Sequence, residues 1–114
     1  MLATLLLSVA PIPAANAIAG FYRSNQMEIG AALELQQSGH FRYALDYGAV
    51  SEIAEGDWAL DGSIVRLTTR PAAPDTERST AAFRSEPLLR DGDDLLLNRY
   101  ETVIRFERVR PGEQ

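Results

Sequence analysis

The strongest constraint on the fold is the alternation of side chains over residues 41–47. Large apolar and aromatic side chains take every second position there, and they are Phe41, Tyr43, Leu45 and Tyr47. Successive side chains of a β-strand point to opposite faces, so this period of two predicts a strand with one buried face. Four large residues on that face indicate a core strand.

Similar short runs follow one another along the chain and are separated by turn residues. Ser38-Gly39, Asp61-Gly62 and Asp91-Gly92-Asp93 are typical of hairpins, because glycine readily adopts the positive φ that tight turns require. No stretch of ten or more residues shows a helical period. We therefore predict an all-β fold, a single antiparallel meander of about eight strands that closes into a small up-and-down barrel.

Four features of these runs carry specific expectations. Gly30 is expected to end the first run, Ala19 to Ile29, and Gly56 is expected to mark a bulge or the close approach of an aromatic ring from a neighbouring strand. Arg70 to Thr80 is predicted to be a mobile surface loop, because proline and polar residues are frequent in it. Pro87 interrupts the run Ala81 to Leu89, which suits a sheet edge or a strand end.

Residues 1–17 have the pattern of a secretory signal. Met1 to Ala10 is apolar and uncharged, Pro11 and Pro13 follow, and Ala15-Asn16-Ala17 is a small-x-small cleavage site. The apolar run is shorter than the roughly 20 residues that span a bilayer as a helix. No Lys or Arg precedes it, so either the start codon lies further upstream or the signal is weak. We expect a periplasmic or secreted protein, with residues 18–114 forming one domain.

Cysteine content and net charge exclude several classes of function. The chain has no cysteine, which rules out disulfides, thiol catalysis, cysteine-ligated metals and a lipid-modified N-terminal cysteine. No stable membrane anchor is therefore expected after cleavage. The net charge is −5, and nucleic-acid binding depends on clustered cations, so we expect no nucleic-acid partner.

No group of residues predicts catalysis or metal binding. His40 follows a turn, where we expect a solvated imidazole without a catalytic partner. Ser38, His40 and Asp46 lack the strained nucleophile turn of a hydrolase. The run of acidic residues from Asp91 to Asp94 lacks the later oxygen ligands of a calcium loop, so it is interpreted as a polar turn. We expect no enzyme activity, no cofactor and no metal.

Acidic residues flank the single tryptophan, and paired carboxylates in one cleft can serve a glycosidase. The acidic residues are Glu52, Glu55, Asp57 and Asp61. Glu55 and Asp57 share the strand face opposite Trp58, so these two residues are predicted to point to solvent and not into a cleft.

The best candidates for ligand contact are four aromatic residues, Phe41, Tyr43, Tyr47 and Trp58. Tyrosine and tryptophan combine an apolar body with one polar group, as small-molecule sites often require. Plain core packing explains the same residues, and the sequence leaves both interpretations open.

Three stretches resemble the small bacterial lipocalin-like (calycin-like) exported domains. They are Gly20-Phe21-Tyr22, Leu33 to Tyr43 with the pattern L-x-L-x-x-S-G-x-F-x-Y, and Gly56 to Thr68 with the pattern G-x-W-x-x-D-G-x-x-V-x-L-T. The resemblance implies a barrel whose closing strand includes Ile104 to Arg108. The chain is shorter than true lipocalins, which implies an interior that side chains nearly fill.

Two classes of function remain open. The first is a binding module for a small apolar or amphipathic ligand, which a cavity of several hundred Å³ lined by Tyr43, Tyr47 and Trp58 would favour. The second is a protein-interaction module of the cell envelope, such as an inhibitor or accessory protein, with Arg70 to Thr80 as a contact element. A filled core would favour this second class.

Overall fold

A computed structural model describes residues 17–70, 79–80 and 83–110, with residues 79–80 described by their backbone alone. The described chain is all-β, as the sequence predicts. Its strands are β1 (Gly20–Gln26), β2 (Ile29–Leu35), β3 (His40–Tyr47), β4 (Val50–Asp61), β5 (Ile64–Thr69), β6 (Ser79–Thr80), β7 (Glu86–Asp91), β8 (Asp94–Arg99) and β9 (Thr102–Arg108).

Eight of these strands form a closed antiparallel barrel of up-and-down connectivity. The order around the barrel is β3-β2-β1-β9-β8-β7-β5-β4, and β4 pairs back onto β3 to complete the circle. Strand β6 is an addition to this barrel, because it pairs in parallel with Glu52 and Ile53 of β4. The predicted loop from Arg70 to Thr80 therefore ends in paired strand, whereas residues 71–78 lie outside the described part.

The meander gives the barrel two distinct ends. We call upper the end that carries turns 27–28, 48–49 and 100–101 and the connection that follows β5, and lower the end that carries turns 36–39, 62–63 and 92–93. Tyr100 and Glu101 both have positive φ, at 56° and 60°. At the lower end, Gly62 and Gly92 supply the positive φ of their hairpins.

Alternation along the strands fills the barrel interior. Inward positions of neighbouring strands carry buried apolar side chains, which include Leu33, Leu35, Phe41, Tyr43, Leu45, Val65, Leu67, Leu95, Leu97, Ile104 and Phe106. Phe83, outside any strand, is buried with them and lies 4.9 Å from Tyr43 between ring centroids. The aromatic rings of Phe41 and Phe106 border the same cluster. The described interior is thus packed by large side chains.

Several local expectations need correction. Gly30 lies within β2, paired with Asn25, and the chain turns earlier at Met27 and Glu28. Gly56 does accommodate a close neighbour, but that neighbour is the β5 backbone at Thr68 and not an aromatic ring. At this position β4 is paired with both β3 and β5, and its main chain lies too close to that of β5 for a side chain to fit between them.

In the run predicted from Ala81 to Leu89, residues 83–85 are not strand and β7 begins at Glu86, whereas residues 81–82 lie outside the described part. Pro87 is exposed in the second position of that strand, as expected near a strand end. Phe83 precedes the strand and is held by Thr69, whose backbone N–H donates to the Phe83 carbonyl at 2.7 Å. The Thr69 hydroxyl accepts from the Phe83 N–H at 2.8 Å.

The chain before β1 packs across the lower end. Ile18 is buried, and its carbonyl accepts a hydrogen bond from the Tyr22 hydroxyl. Arg108 of β9 donates to the carbonyls of Ala17 and Ala19, at 2.6 and 2.7 Å, and its guanidinium lies over the Tyr22 ring. Ile18 is therefore packed against the barrel, and the predicted boundary at residue 17 stays a prediction.

The rest of the predicted leader and the tail at 111–114 lie outside the described residues. In the part of the chain that is described, no helix is long and apolar enough to cross a membrane.

Candidate binding site at the upper end

A carboxylate points into the barrel near its upper end. The inward face of β4 carries Glu52, Ala54, Gly56 and Trp58, in strict alternation with exposed or half-buried neighbours. Glu52 therefore lies among core residues, with 7% of its side chain exposed. Glu55 and Asp57, on the other face of β4, are exposed as predicted.

Arg99 neutralises this carboxylate from the opposite wall. It continues the inward series of Leu95 and Leu97 on β8, so its side chain also enters the barrel. Its Nε and NH2 groups donate to the two Glu52 oxygens at 3.1 and 2.6 Å, which is a bidentate pair. The Tyr43 hydroxyl donates to Glu52 Oε1 at 3.1 Å. Three strands, β3, β4 and β8, thus meet at one carboxylate.

The pKa shifts in this group follow from burial and pairing. Burial disfavours the Glu52 carboxylate, but hydrogen bonds from Arg99, Tyr100 and Tyr43 outweigh it, so the Glu52 pKa is lower than usual. Burial, together with the Glu52 charge, raises the pKa of Tyr43 far above its ordinary value. The hydrogen bond to Glu52 raises the pKa of Arg99. At neutral pH the group is an ion pair with a protonated tyrosine.

Aromatic rings surround the Arg99 guanidinium. Its Cζ lies 4.8 Å from the Phe83 ring centroid and 5.3 Å from that of Tyr100. Such contacts are favourable for a cation that is partly removed from water. Tyr100 also meets Tyr47 edge to face across the barrel mouth, at 5.9 Å between centroids and 75° between ring planes. The ion pair and these rings lie together at the upper end of the barrel.

Most of the exposed large apolar side chains of the described residues lie at this end. Of the six large apolar side chains that the described residues leave exposed, four are at or just below the upper end, and they are Met27, Val50, Tyr100 and Val103. We call these four residues the apolar rim. Met27 is 88% exposed and Tyr100 is 43% exposed. The lower turns carry residues such as Ser38, Ser63 and Asp93 instead.

The four aromatic residues predicted for ligand contact do not meet at one place. Phe41 and Tyr43 are buried in the core, and Tyr47 is half-buried at the mouth. Trp58 lies toward the lower end, where its indole N–H donates to the Gln36 carbonyl at 2.8 Å. The β3–β4 register separates Tyr47, opposite Val50, from Trp58 by the length of the hairpin. Their contact with a ligand stays a prediction.

The residues weighed for catalysis have ordinary structural surroundings. His40 begins β3 and is half-buried, not fully solvated, with Nε2 3.5 Å from a Glu55 carboxylate oxygen. Asp91 and Asp94 both accept hydrogen bonds from the Arg105 guanidinium, at 2.7 and 2.9 Å. Among the described residues, no cluster of three or more histidine or acidic side chains is placed to hold a metal ion.

The sequence indicated Glu52 only as one of the acidic residues beside Trp58, and it did not indicate Arg99 or Phe83. A signal for the first two was present, because each continues an apolar series at every second position of its strand. Phe83 has no such signal, since it lies outside the strands and is held by contacts with β5.

The chain matches no family model, no curated protein and no solved structure.

Proposed function

We propose that this protein is an exported, non-catalytic interaction module that binds a partner protein of the cell envelope through the upper end of its barrel. The observation that carries the proposal is the apolar rim. Large exposed apolar side chains grouped on one face are typical of protein-binding surfaces, whereas single ones elsewhere need no explanation.

The packed interior supports a macromolecular partner over a small ligand held inside. Small-molecule sites are concave and enclose most of their ligand. Here Tyr43 is hydrogen-bonded within the core, and Arg99 lies against the rings of Phe83 and Tyr100. The rim residues project from separate hairpins, and a broad partner surface can contact several of them at once.

Charge at the rim favours a partner with basic groups around an apolar patch. The charged residues of the described upper turns are Glu28 and Glu101, and both are exposed. Among the described cations of this end, Arg99 is neutralised by Glu52 and Arg70 is paired with Asp57, whereas Arg84 is exposed. The two exposed turn glutamates attract basic groups of a protein surface and are repelled by anionic lipid headgroups. The partner is therefore a protein and not the membrane surface.

Site-specific photocrosslinking in the native host tests this proposal. A photoreactive residue replaces Met27 in one variant and Phe21 in a matched control, because Phe21 is 58% exposed but lies outside the rim. We expect one discrete protein adduct at position 27 and none at position 21. Adducts of equal yield at both positions, or none at position 27, would contradict the proposal.

A second candidate is a small amphipathic ligand bound at the mouth. The observation in its favour is the Tyr47–Tyr100 pair beside the Glu52–Arg99 ion pair, which places apolar rings next to charge. Titration of the purified protein with a fluorescent fatty acid tests it. Saturable binding that the Tyr100→Ser variant loses would support this candidate, and no saturable binding would exclude it.

A further inference from the structure

The barrel closes through a short seam between β1 and β9. Only Tyr22 and Arg23 of β1 pair with β9, opposite Arg108 and Glu107, and the Val109 N–H donates to Phe21 just below them. Continuing this register would set Asn25 opposite Arg105, but the two strands are not paired there. The upper half of the seam is therefore without a backbone ladder.

A side chain takes the place of the missing ladder. The Gln26 amide accepts a hydrogen bond from the Arg105 backbone N–H at 2.7 Å and donates to the Val103 carbonyl at 3.3 Å. A main chain running beside β9 would bind these same two backbone groups. Gln26 thus covers a short strand edge with a group that imitates a peptide bond.

A groove lies along this part of the seam. Its volume is about 390 Å³, and it is lined by Asn25, Gln26, Leu96, Val103, Arg105 and Glu107. The groove joins the apolar rim at Val103. Two charged residues line the groove. Arg105 is paired with Asp91 and Asp94, so the charged side chain that can interact with a ligand is the exposed Glu107.

We propose that the β1–β9 seam receives an extended, basic segment of the partner protein, which pairs with the β9 edge at Val103 and Arg105 in place of the Gln26 amide. Adding a strand to an exposed edge is a common way to recognise an extended peptide. The groove supplies apolar contact through Leu96 and Val103, and Glu107 and nearby Glu101 complement basic side chains. This inference rests on the proposed function, because the groove continues the rim.

A second copy of this chain is a poorer occupant than a basic partner segment. The chain carries a net charge of −5, and the groove and rim both present exposed glutamates. Pairing two such edges would bring like charges together.

Nuclear magnetic resonance titration of the isotope-labelled protein tests the inference. The probe is a blocked heptapeptide of alternating lysine and valine, and its control carries proline at the centre, which cannot donate a backbone hydrogen bond. We expect saturable shifts of the amide signals at 24–26 and 103–105 with the first peptide and none with the second. Gln26→Ala frees the β9 edge and should tighten binding about fivefold, since a competing hydrogen-bonded group is removed.

Gln37→Ala is the matched control, because Gln37 is exposed in a turn at the lower end. It should leave the affinity unchanged. The inference is overturned if no saturable shift appears at the seam, if the proline peptide binds equally, or if Gln26→Ala does not tighten binding. Concentration-dependent shifts at the seam without peptide would assign it to a second copy instead. None of these results alters the crosslinking expected at Met27, so the two proposals fail separately.

Discussion

At the scale of single residues, the upper end is organised by one buried carboxylate. Glu52 is nearly enclosed, and Arg99 and Tyr43 satisfy both of its oxygens. Desolvating a charge is costly, so such a pair stabilises the fold less than its short distances suggest. Its clearer effect is to fix how β3, β4 and β8 meet at the mouth.

Replacing one residue of the Glu52–Arg99 pair should lower the free energy of unfolding far more than replacing both residues. Arg99→Met leaves the Glu52 charge buried without its counterion, and we expect a loss of about 3 kcal/mol in the free energy of unfolding. This is the lower part of the usual range, because 22% of the Arg99 side chain is exposed. The double variant Glu52→Leu/Arg99→Met should recover most of the loss. Urea denaturation measures the free energy of unfolding of both variants. A double variant that is less stable than Arg99→Met would show that the unpaired Glu52 charge is not the cause of the loss.

The same pair predicts a dependence of stability on pH. The Glu52 pKa in the folded state lies below its ordinary value of 4.5, so the unfolded chain binds the proton first as the pH falls. The stability from this group is present above that ordinary value and is lost as the pH drops through the folded pKa. The stability difference between the wild type and Glu52→Gln should therefore narrow between pH 7 and pH 3. A difference that stays constant in urea denaturation would refute the assignment.

At the scale of elements, β4 determines how the barrel closes. Its first part pairs with β3 and its last part with β5, and both ladders include Gly56. A Cβ at Gly56 would lie against the Thr68 carbonyl and 2.8 Å from Thr69 Cα, and neither backbone atom can move as a side chain would. The absence of a side chain at Gly56 allows β4 to pair with both β3 and β5 at this position.

Gly56→Ala should therefore destabilise the protein by about 3 kcal/mol, because it forces the β4 and β5 backbones apart. Gly30→Ala is the matched control. Gly30 is also within a strand, and nothing lies within 4 Å of an added Cβ there. The control should be neutral or slightly stabilising, since alanine restricts the unfolded chain more than glycine does. Equal melting temperatures for the two variants would disprove this explanation of β4.

The strands were predictable from the sequence because alternation is a local property. Leu33, Phe41 and Ile104 face inward for the reason the pattern indicates. The ion pair was harder to predict, because Glu52 and Arg99 are 47 residues apart. Each of them, considered alone, is a charged residue that is expected to be exposed to solvent. Phe83 could not be predicted, since only its contacts outside the strands place it in the core. The alternation of apolar residues along the strands therefore predicts the core of the barrel better than it predicts the candidate binding site.

At the scale of the whole molecule, the two ends of the barrel differ in chemistry. The upper end combines exposed Met27 and Tyr100 with the acidic turn residues Glu28 and Glu101. The lower end has polar turns and is covered by the chain at Ile18. This difference is the basis for assigning partner binding to the upper end.

We propose that the apolar rim provides the free energy of binding to the partner protein. The most direct test is the dissociation constant of the crosslinked partner for two double variants, measured by calorimetry. Met27→Ser/Tyr100→Ser alters the rim, and Phe21→Ser/Leu89→Ser removes two apolar side chains that are similarly exposed elsewhere. We predict at least about a tenfold loss of affinity for the first, as is typical for residues at the centre of an interface, and no change for the second. Equal affinities for the two variants would contradict the account.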